Sequence, residues 1–210
     1  PDSSTPSHAG VEGPTPAWLG VDESGAAALI VEPDGRLRIV GVADGAALAE
    51  VAAADAGLAA ATAVRVLPGT IHAVAGFADG SVRCGRLGLE SSFVEEAELP
   101  AGIRPPGPGR ASASAAGILV RDPNGRLARV AAVADLAPPT RSLDAAIVDV
   151  DVALLAGGPL LAALDARGRI RVESVNSKRN LLTDEVVVSA IGSTIEPEPG
   201  FTPRFVRVSE

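Results

Sequence analysis

The chain has 210 residues, 47% of them hydrophobic and 21% charged, a balance typical of a folded globular protein. Its formal net charge is −8, which argues against a surface for nucleic acid or for an anionic membrane. Two histidines and one cysteine are too few for a His-rich or Cys-rich metal site, and a single cysteine excludes an internal disulfide. We therefore expect no metal, no cofactor and no nucleic-acid partner.

Residues 1–16 are rich in Pro, Ser and Gly and have no periodic apolar pattern, which predicts a flexible leader. The chain begins at Pro1 and contains no Met, so we expect it to be a piece of a longer polypeptide. It has no uninterrupted stretch of 18 apolar residues.

One pattern recurs four times, namely an apolar run, a turn ending in Gly and a second run. The copies are LIVEPDGRLRI, VAGFADGSVRC, LVRDPNGRLAR and LAALDARGRIR, with the turn glycines Gly35, Gly80, Gly125 and Gly168. The intervals between these glycines are 45, 45 and 43 residues. A strand-turn-strand unit at this period is typical of a propeller blade. The sequence thus predicts an all-β, β-propeller-like array of about four blades of antiparallel strands, incomplete or open.

The turns themselves are predicted from their residue types. Three of the four glycines follow Asp or Asn, and such pairs favour a two-residue type I′ loop because both residues tolerate positive φ. The pair Arg167-Gly168 is a weaker form of the same signal. Two-residue loops would set these cross-strand pairs: Leu37 with Glu32, Val82 with Phe77, and Ile170 with Asp165.

Residues 17–100 are expected to form blades 1 and 2. Residues 46–63 contain 11 Ala and would favour helix on propensity alone, but the repeat period places an outer strand around Leu48, and strand is the preferred interpretation. Blade 2 divides into four strand-length segments, AVRVL, HAVAGFA, SVRCGRLGL and SSFVEEAEL.

Residues 101–114 carry several Pro and Gly and are predicted to form a long exposed loop or a hinge. Residues 115–210 are expected to contain blades 3 and 4 with a closing strand, PRFVRV. That strand would either pair with the first blade or begin a further blade.

Arginine recurs three residues after three of the turn glycines, as Arg38, Arg83 and Arg171. These side chains could line a common surface for acidic groups, but stems packed on the next blade with paired head groups are the preferred interpretation. Cys84 lies at a blade position that holds Ile or Val elsewhere, so we expect a buried structural thiol.

The remaining candidate residues are weak signals. His72 lies in a predicted strand and is expected to be a hydrogen-bonded structural residue. Asp149 and Asp151 share one side of a strand and could bind a cation with Asp144 or Asp165, although a polar strand face is the preferred interpretation. We therefore assign no catalytic, cofactor-binding or metal-binding residue.

Three short runs within residues 67–100 carry a family resemblance: FADGSVR at 77–83, GRLGL at 85–89 and SF at 92–93. The stretch resembles part of the large extracytoplasmic insertion in the permease subunit of some proteobacterial phosphate ABC transporters. No phosphate-binding or catalytic residue of that family maps onto it.

The resemblance implies a soluble module on the periplasmic side of the inner membrane, belonging to an integral membrane protein. Such a module would be non-enzymatic and would dock or regulate, with a solute-binding protein or another transporter subunit as partner. Blade edges and the loops 101–114 and 192–204 are the expected contact elements. The alternative is a propeller enzyme or carbohydrate-binding domain with its site on the blade axis, since fold alone does not decide function.

Overall fold

The computed structural model describes residues 18–67, 69–138, 141–155, 158–179 and 186–208. The predicted leader, residues 1–16, lies outside this part of the chain. The described residues form antiparallel β-strands and one short 3₁₀ helix, Glu96–Glu98, so the protein is all-β as predicted.

The strands are arranged in three sheets that follow one another along the chain. Sheet A has the order β1-β2-β3-β4, sheet B has β5-β6-β7-β10-β9-β8 with β11 beside β7, and sheet C has β12-β13-β14-β15. The strand bounds are β1 Trp18–Val21, β2 Ala27–Val31, β3 Leu37–Gly41, β4 Ala47–Val51, β5 Ala61–Val66, β6 His72–Phe77, β7 Ser81–Phe93, β8 Arg110–Ser114, β9 Gly117–Arg121, β10 Leu127–Leu136, β11 Arg141–Ser142, β12 Ile147–Leu155, β13 Gly158–Asp165, β14 Ile170–Arg179 and β15 Val186–Ile195.

All four predicted turns are hairpins at equivalent places, between β2 and β3, β6 and β7, β9 and β10, and β13 and β14. In each, the glycine N–H donates to the carbonyl three residues earlier, as from Gly35 to Glu32 at 2.9 Å. The repeat therefore marks four structural units in a propeller-like array, and the strands of the described residues form no closed barrel.

The predicted turn type was wrong, because each loop is one residue longer than the two-residue loop that the sequence predicted. The glycines have positive φ, such as 85° at Gly35, but the Asp, Asn or Arg before each glycine does not, which excludes type I′. Glu32 N–H also donates to Arg36 O at 2.8 Å, so the loop has three residues, a type I turn completed by a glycine bulge. Pro33 fits this turn because its fixed φ suits the first central position.

The extra loop residue shifts the register and exchanges the faces of the second strand. Leu37 pairs with Val31, Val82 with Gly76, and Ile170 with Leu164. On sheet A, Leu29 and Ile39 therefore share the face that packs against sheet B. We call the cluster of buried side chains between these two sheets the main core.

Unit 1 is a regular four-stranded meander, and its outer strand β4 contains Leu48 as predicted. Asp44-Gly45 turns the chain between β3 and β4, with the Asp44 carboxylate accepting the N–H of Ala46 at 3.1 Å. No helix forms in residues 46–63, so the periodicity was a better guide than the propensity of Ala.

Units 2 and 3 exchange their outer strands, which the division of blade 2 into four segments missed. SVRCGRLGL and the following SSF form one continuous strand, β7, whose second half pairs with β10 beside unit 3. The second half of β10, followed by β11, returns to pair with the first half of β7. The two units are thereby merged into the single sheet B.

Sheet B lies between the other two sheets. One of its faces contributes Phe77, Leu87 and Val120 to a core shared with Leu29 and Leu37 of sheet A.

The opposite face of sheet B contributes Val74 and Val82 to a second core, shared with Ile147, Val150 and Leu161 of sheet C. This double burial explains why residues 73–77 of β6 form an unbroken apolar run, since neighbouring residues of a strand face opposite sides.

A glycine and a threonine allow sheets B and C to approach closely. A Cβ atom at Gly76 would lie 2.3 Å from Cγ2 of Ile147, so a larger residue there would separate the sheets. The Thr62 hydroxyl donates to the Ile147 carbonyl at 2.5 Å, which joins β5 to the start of β12.

The loop predicted at residues 101–114 is confirmed in part, and the closing strand predicted at PRFVRV is not formed. Residues 101–109 are irregular, but residues 110–114 form β8, the first strand of unit 3. Residues 201–208 form no strand and do not pair with unit 1, because they lie on sheet C, where Val206 is buried against Ala162 and Leu164.

Replacing two turn glycines by alanine separates backbone strain from long-range packing. Gly80→Ala should cost at least about 2 kcal/mol more than Gly125→Ala in the free energy of unfolding, measured by urea denaturation. Both positions have positive φ, but a Cβ at Gly80 would lie 1.9 Å from the Leu143 carbonyl oxygen, whereas a Cβ at Gly125 meets no atom within 4 Å. Equal losses of unfolding free energy in the two variants would show that the Leu143 carbonyl does not pack against the turn at Gly80.

Candidate functional site

The three repeated arginines do not act as one surface, since each guanidinium has a partner in its own unit. Arg38 forms an ion pair with Glu32 at 3.2 Å. Arg83 lies over the ring of Phe77, 4.8 Å from its centroid, and Arg171 pairs with Glu173. These contacts agree with the preferred interpretation, paired head groups.

Asp149 and Asp151 hold the terminal segment on sheet C. Asp149 is buried and accepts hydrogen bonds from the Val206 N–H at 3.0 Å and from Arg207 at 2.6 Å, with Arg65 at 3.3 Å on its other oxygen. Asp151 accepts the N–H of Val208 at 2.7 Å. The two carboxylates therefore replace the carbonyls of a neighbouring strand.

Asp144 and Asp165, the two carboxylates considered as further ligands of a cation, belong to a separate ion pair. Arg169 binds Asp144 at 3.0 Å and Asp165 at 2.8 Å, and these contacts raise the pKa of Arg169. In the described part of the chain, no group of three or more His, Cys, Asp or Glu is placed to hold a metal ion.

A pairing across each turn was missed by the sequence analysis. In units 1, 3 and 4 an acid three residues before the turn glycine meets an arginine one residue after it, as Asp122 meets Arg126 at 2.9 Å. The hydrogen bonds from Arg126 lower the pKa of Asp122. The spacing of an Asp or Glu, two residues, Gly and Arg was visible and would have indicated this structural pair.

Cys84 and His72 have different surroundings. Cys84 is a free cysteine packed against the core between sheets B and C, and burial raises the pKa of its thiol to about 11. His72 is exposed at the start of β6 and is anchored through its backbone, with its N–H donating to Thr70 Oγ1 at 3.0 Å.

The feature that stands apart from these internal contacts is a groove of about 550 Å³ beside β1. We call it the β1 groove. Glu23 is the one charged residue among the residues that line it. The lining residues are Trp18, Leu19, Gly20, Val21, Glu23, Val66, Leu67, Gly69, Thr70, Ile71, Gly88 and Leu89.

Two glycines let large side chains lie flat in the walls of the β1 groove. A Cβ at Gly20 would be 2.2 Å from Cη2 of Trp18, so the indole ring lies over Gly20. A Cβ at Gly88 would be 2.5 Å from Cγ2 of Ile71, so that side chain lies over β7 in the same way. Trp18 also packs against the main core, which connects the groove to the interface between sheets A and B.

The rim of the β1 groove is formed by an edge strand with exposed apolar side chains. Leu19 is 52% exposed and Val21 is 55% exposed. Within the described residues β1 pairs with β2 alone, so its other edge has no strand beside it. Exposed apolar groups grouped at a groove are typical of a binding surface.

Sequence reasoning did not find the β1 groove, because its walls come from segments about 50 residues apart. The one available signal was local. β1 reads Trp-Leu-Gly-Val, with no charge and no proline to guard its edge.

Comparisons with known proteins leave the family open. No protein-family model and no curated protein matches the sequence. Solved structures similar to the chain include the WD40 domain of SCAP from fission yeast, at 14% identity and a TM-score of 0.35, covering 85% of this chain and 31% of that one. The computationally designed Ika4 protein has 13% identity and a TM-score of 0.32, covering 78% and 94%. These TM-scores are too low to support an argument about function.

The described part of the chain contains no helix of the length and hydrophobicity that a bilayer crossing requires.

Removing one carboxylate should release the terminal segment. Asp149→Asn should accelerate trypsin cleavage after Arg204 about tenfold, because the segment loses a charge-assisted hydrogen bond and opens more often. Asp144→Asn is the matched control, since its side chain is 76% exposed and contacts Arg169 instead. Cleavage is followed by mass spectrometry. Equal cleavage rates of the two variants would contradict the role of Asp149.

The raised pKa of Cys84 predicts slow alkylation. At pH 8 a thiol of pKa about 11 is thiolate in about 1 molecule in 1000, against about 1 in 10 at the usual value of 9.0. Iodoacetamide should therefore label native Cys84 at least about 100-fold more slowly than the urea-unfolded chain. Labelling at the unfolded rate would show that the thiol is accessible and unperturbed.

Proposed function

We propose that this chain is a non-enzymatic interaction module that docks a partner protein at the β1 groove. The observation that carries the proposal is the exposure of Leu19 and Val21 on a free strand edge, beside a groove lined mainly by apolar side chains. Because each side chain is already about half buried, covering the rest would contribute on the order of 1 kcal/mol each to binding. Apolar side chains of this kind are typical of the buried core of an interface.

The scaffold suits this task, because the walls of the β1 groove belong to two sheets that share one core. Trp18 and Leu89 both pack against buried residues of that core while they line the groove. A surface held in this way loses little conformational entropy when a partner binds.

The proposed setting rests on the family resemblance of residues 67–100. Six lining residues of the β1 groove fall within that stretch, namely Leu67, Gly69, Thr70, Ile71, Gly88 and Leu89. We propose that the module belongs to the extracytoplasmic part of a phosphate-type transporter permease, on the periplasmic side of the membrane. Its partner would then be the solute-binding protein or another transporter subunit.

Electrostatics support a protein partner rather than phosphate. The net charge of −8 repels phosphate from the surface as a whole. Three arginines that could attract it, Arg38, Arg171 and Arg207, are engaged by carboxylates.

Two arginine substitutions test the docking surface. Leu19→Arg and Val21→Arg should each weaken binding to the transporter's solute-binding protein more than about tenfold, measured by titration calorimetry. Because both side chains are about half exposed, the free energy of unfolding should change by less than about 0.5 kcal/mol. Ile195→Arg is the control, since Ile195 is 54% exposed on sheet C and should leave binding unchanged.

The same calorimetry should detect no binding of inorganic phosphate to the isolated chain. Stoichiometric phosphate binding would make the module a ligand sensor and would contradict the proposal. Retained partner binding in both arginine variants would place the docking surface elsewhere.

A further inference from the structure

We propose that the partner contributes an extended segment that joins the free edge of β1 as a further strand of sheet A. This segment has apolar side chains at alternate positions and a basic residue beside Glu23. The inference rests on the proposed docking function and adds the chemistry of the partner.

Among the described strands, none lies beside the outer edge of β1. In an antiparallel sheet, alternate residues of an edge strand direct their N–H and C=O groups away from the neighbouring strand, and β1 has its described neighbour, β2, on one side only. Three other edge strands carry a charge that guards them: Glu50 in β4, Arg65 in β5 and Arg110 in β8. β1 carries none, and neither does β15 at the edge of sheet C, but β1 alone of these two lines the β1 groove.

The side chains around β1 fit an added strand with one apolar face. Every second side chain of such a strand would enter the β1 groove, whose walls include Trp18, Ile71 and Leu89. The volume of about 550 Å³ is in the range that protein pockets use for bound ligands. A segment with apolar side chains at alternate positions would therefore fill the groove with those side chains. Its backbone N–H and C=O groups would form hydrogen bonds to the free edge of β1.

The negative charge of the site favours a positively charged residue at one end of the bound segment. Glu23 is exposed and is the charged residue among those that line the groove, and the whole chain carries −8. A Lys or Arg beside Glu23 would form an ion pair, and an acidic segment would be repelled.

The test uses a blocked peptide, Arg-Val-Thr-Val-Thr-Val, with acetylated and amidated ends. Trp18 is the single tryptophan of the chain and lines the groove, so its fluorescence reports occupancy directly. We expect a saturable blue shift of Trp18 emission as the peptide is added, and a loss of the shift in Val21→Arg. A version with Glu in place of Arg should bind more weakly.

Two N-methylated peptides distinguish strand pairing from unspecific apolar contact. One carries N-methyl groups on its valines and the other on its threonines, so each lacks the N–H donors of one strand edge. Strand addition predicts that one of the two binds about tenfold or more weakly and the other almost normally. Equal binding of both, or no emission change at about 1 mM peptide, would overturn the inference.

Two further outcomes are separable. If the solute-binding protein docks through Leu19 and Val21 while the peptide fails, strand addition is wrong and the docking function stands. If the peptide shows the one-sided N-methyl pattern and the solute-binding protein does not bind, the strand edge stands and the proposed partner is wrong. A Trp18 shift that follows protein concentration without peptide would assign the edge to a second copy and overturn the inference.

Discussion

The pairing of β7 with β10 is the constraint on which the rest of the fold depends. It joins nine residue pairs, from Phe93 with Ala128 to Gly85 with Leu136, and merges units 2 and 3 into one sheet. That sheet then supplies both apolar faces on which sheets A and C pack. Without this ribbon, sheet A would lose part of its core, since Val120 and Val130 belong to unit 3 and pack in the same cluster as Leu29.

Much of this architecture could be predicted from the sequence, because turn chemistry and strand period are local properties. The four glycines located the hairpins, but the loop length was misjudged, since Asp-Gly serves a three-residue loop as well as a two-residue loop. The strand exchange also left a trace. Asp44-Gly45 ends β3, whereas no comparable turn pair interrupts β7 between Ser81 and Phe93. A long run without a turn signal predicts a long strand.

The candidate site could not be predicted in the same way, because it depends on contacts between distant segments. Trp18 and Ile71 line the same groove, and Asp149 has its partners at Arg65 and Arg207. The local sequence of neither region indicates such a partner. What the local pattern does contain is the unguarded edge Trp-Leu-Gly-Val, and this edge is one of the places where the structure leaves large apolar side chains exposed. The functional proposal therefore follows from topology and exposure together.

The exchange of strands between units 2 and 3 is tested most directly by nuclear Overhauser measurements on the labelled protein. The account predicts cross-strand contacts that join Ser91 to Val130 and Leu89 to Ala132, along the second half of β7. Contacts that instead fold residues 92–99 back onto residues 81–89, as a fourth strand within unit 2, would contradict it.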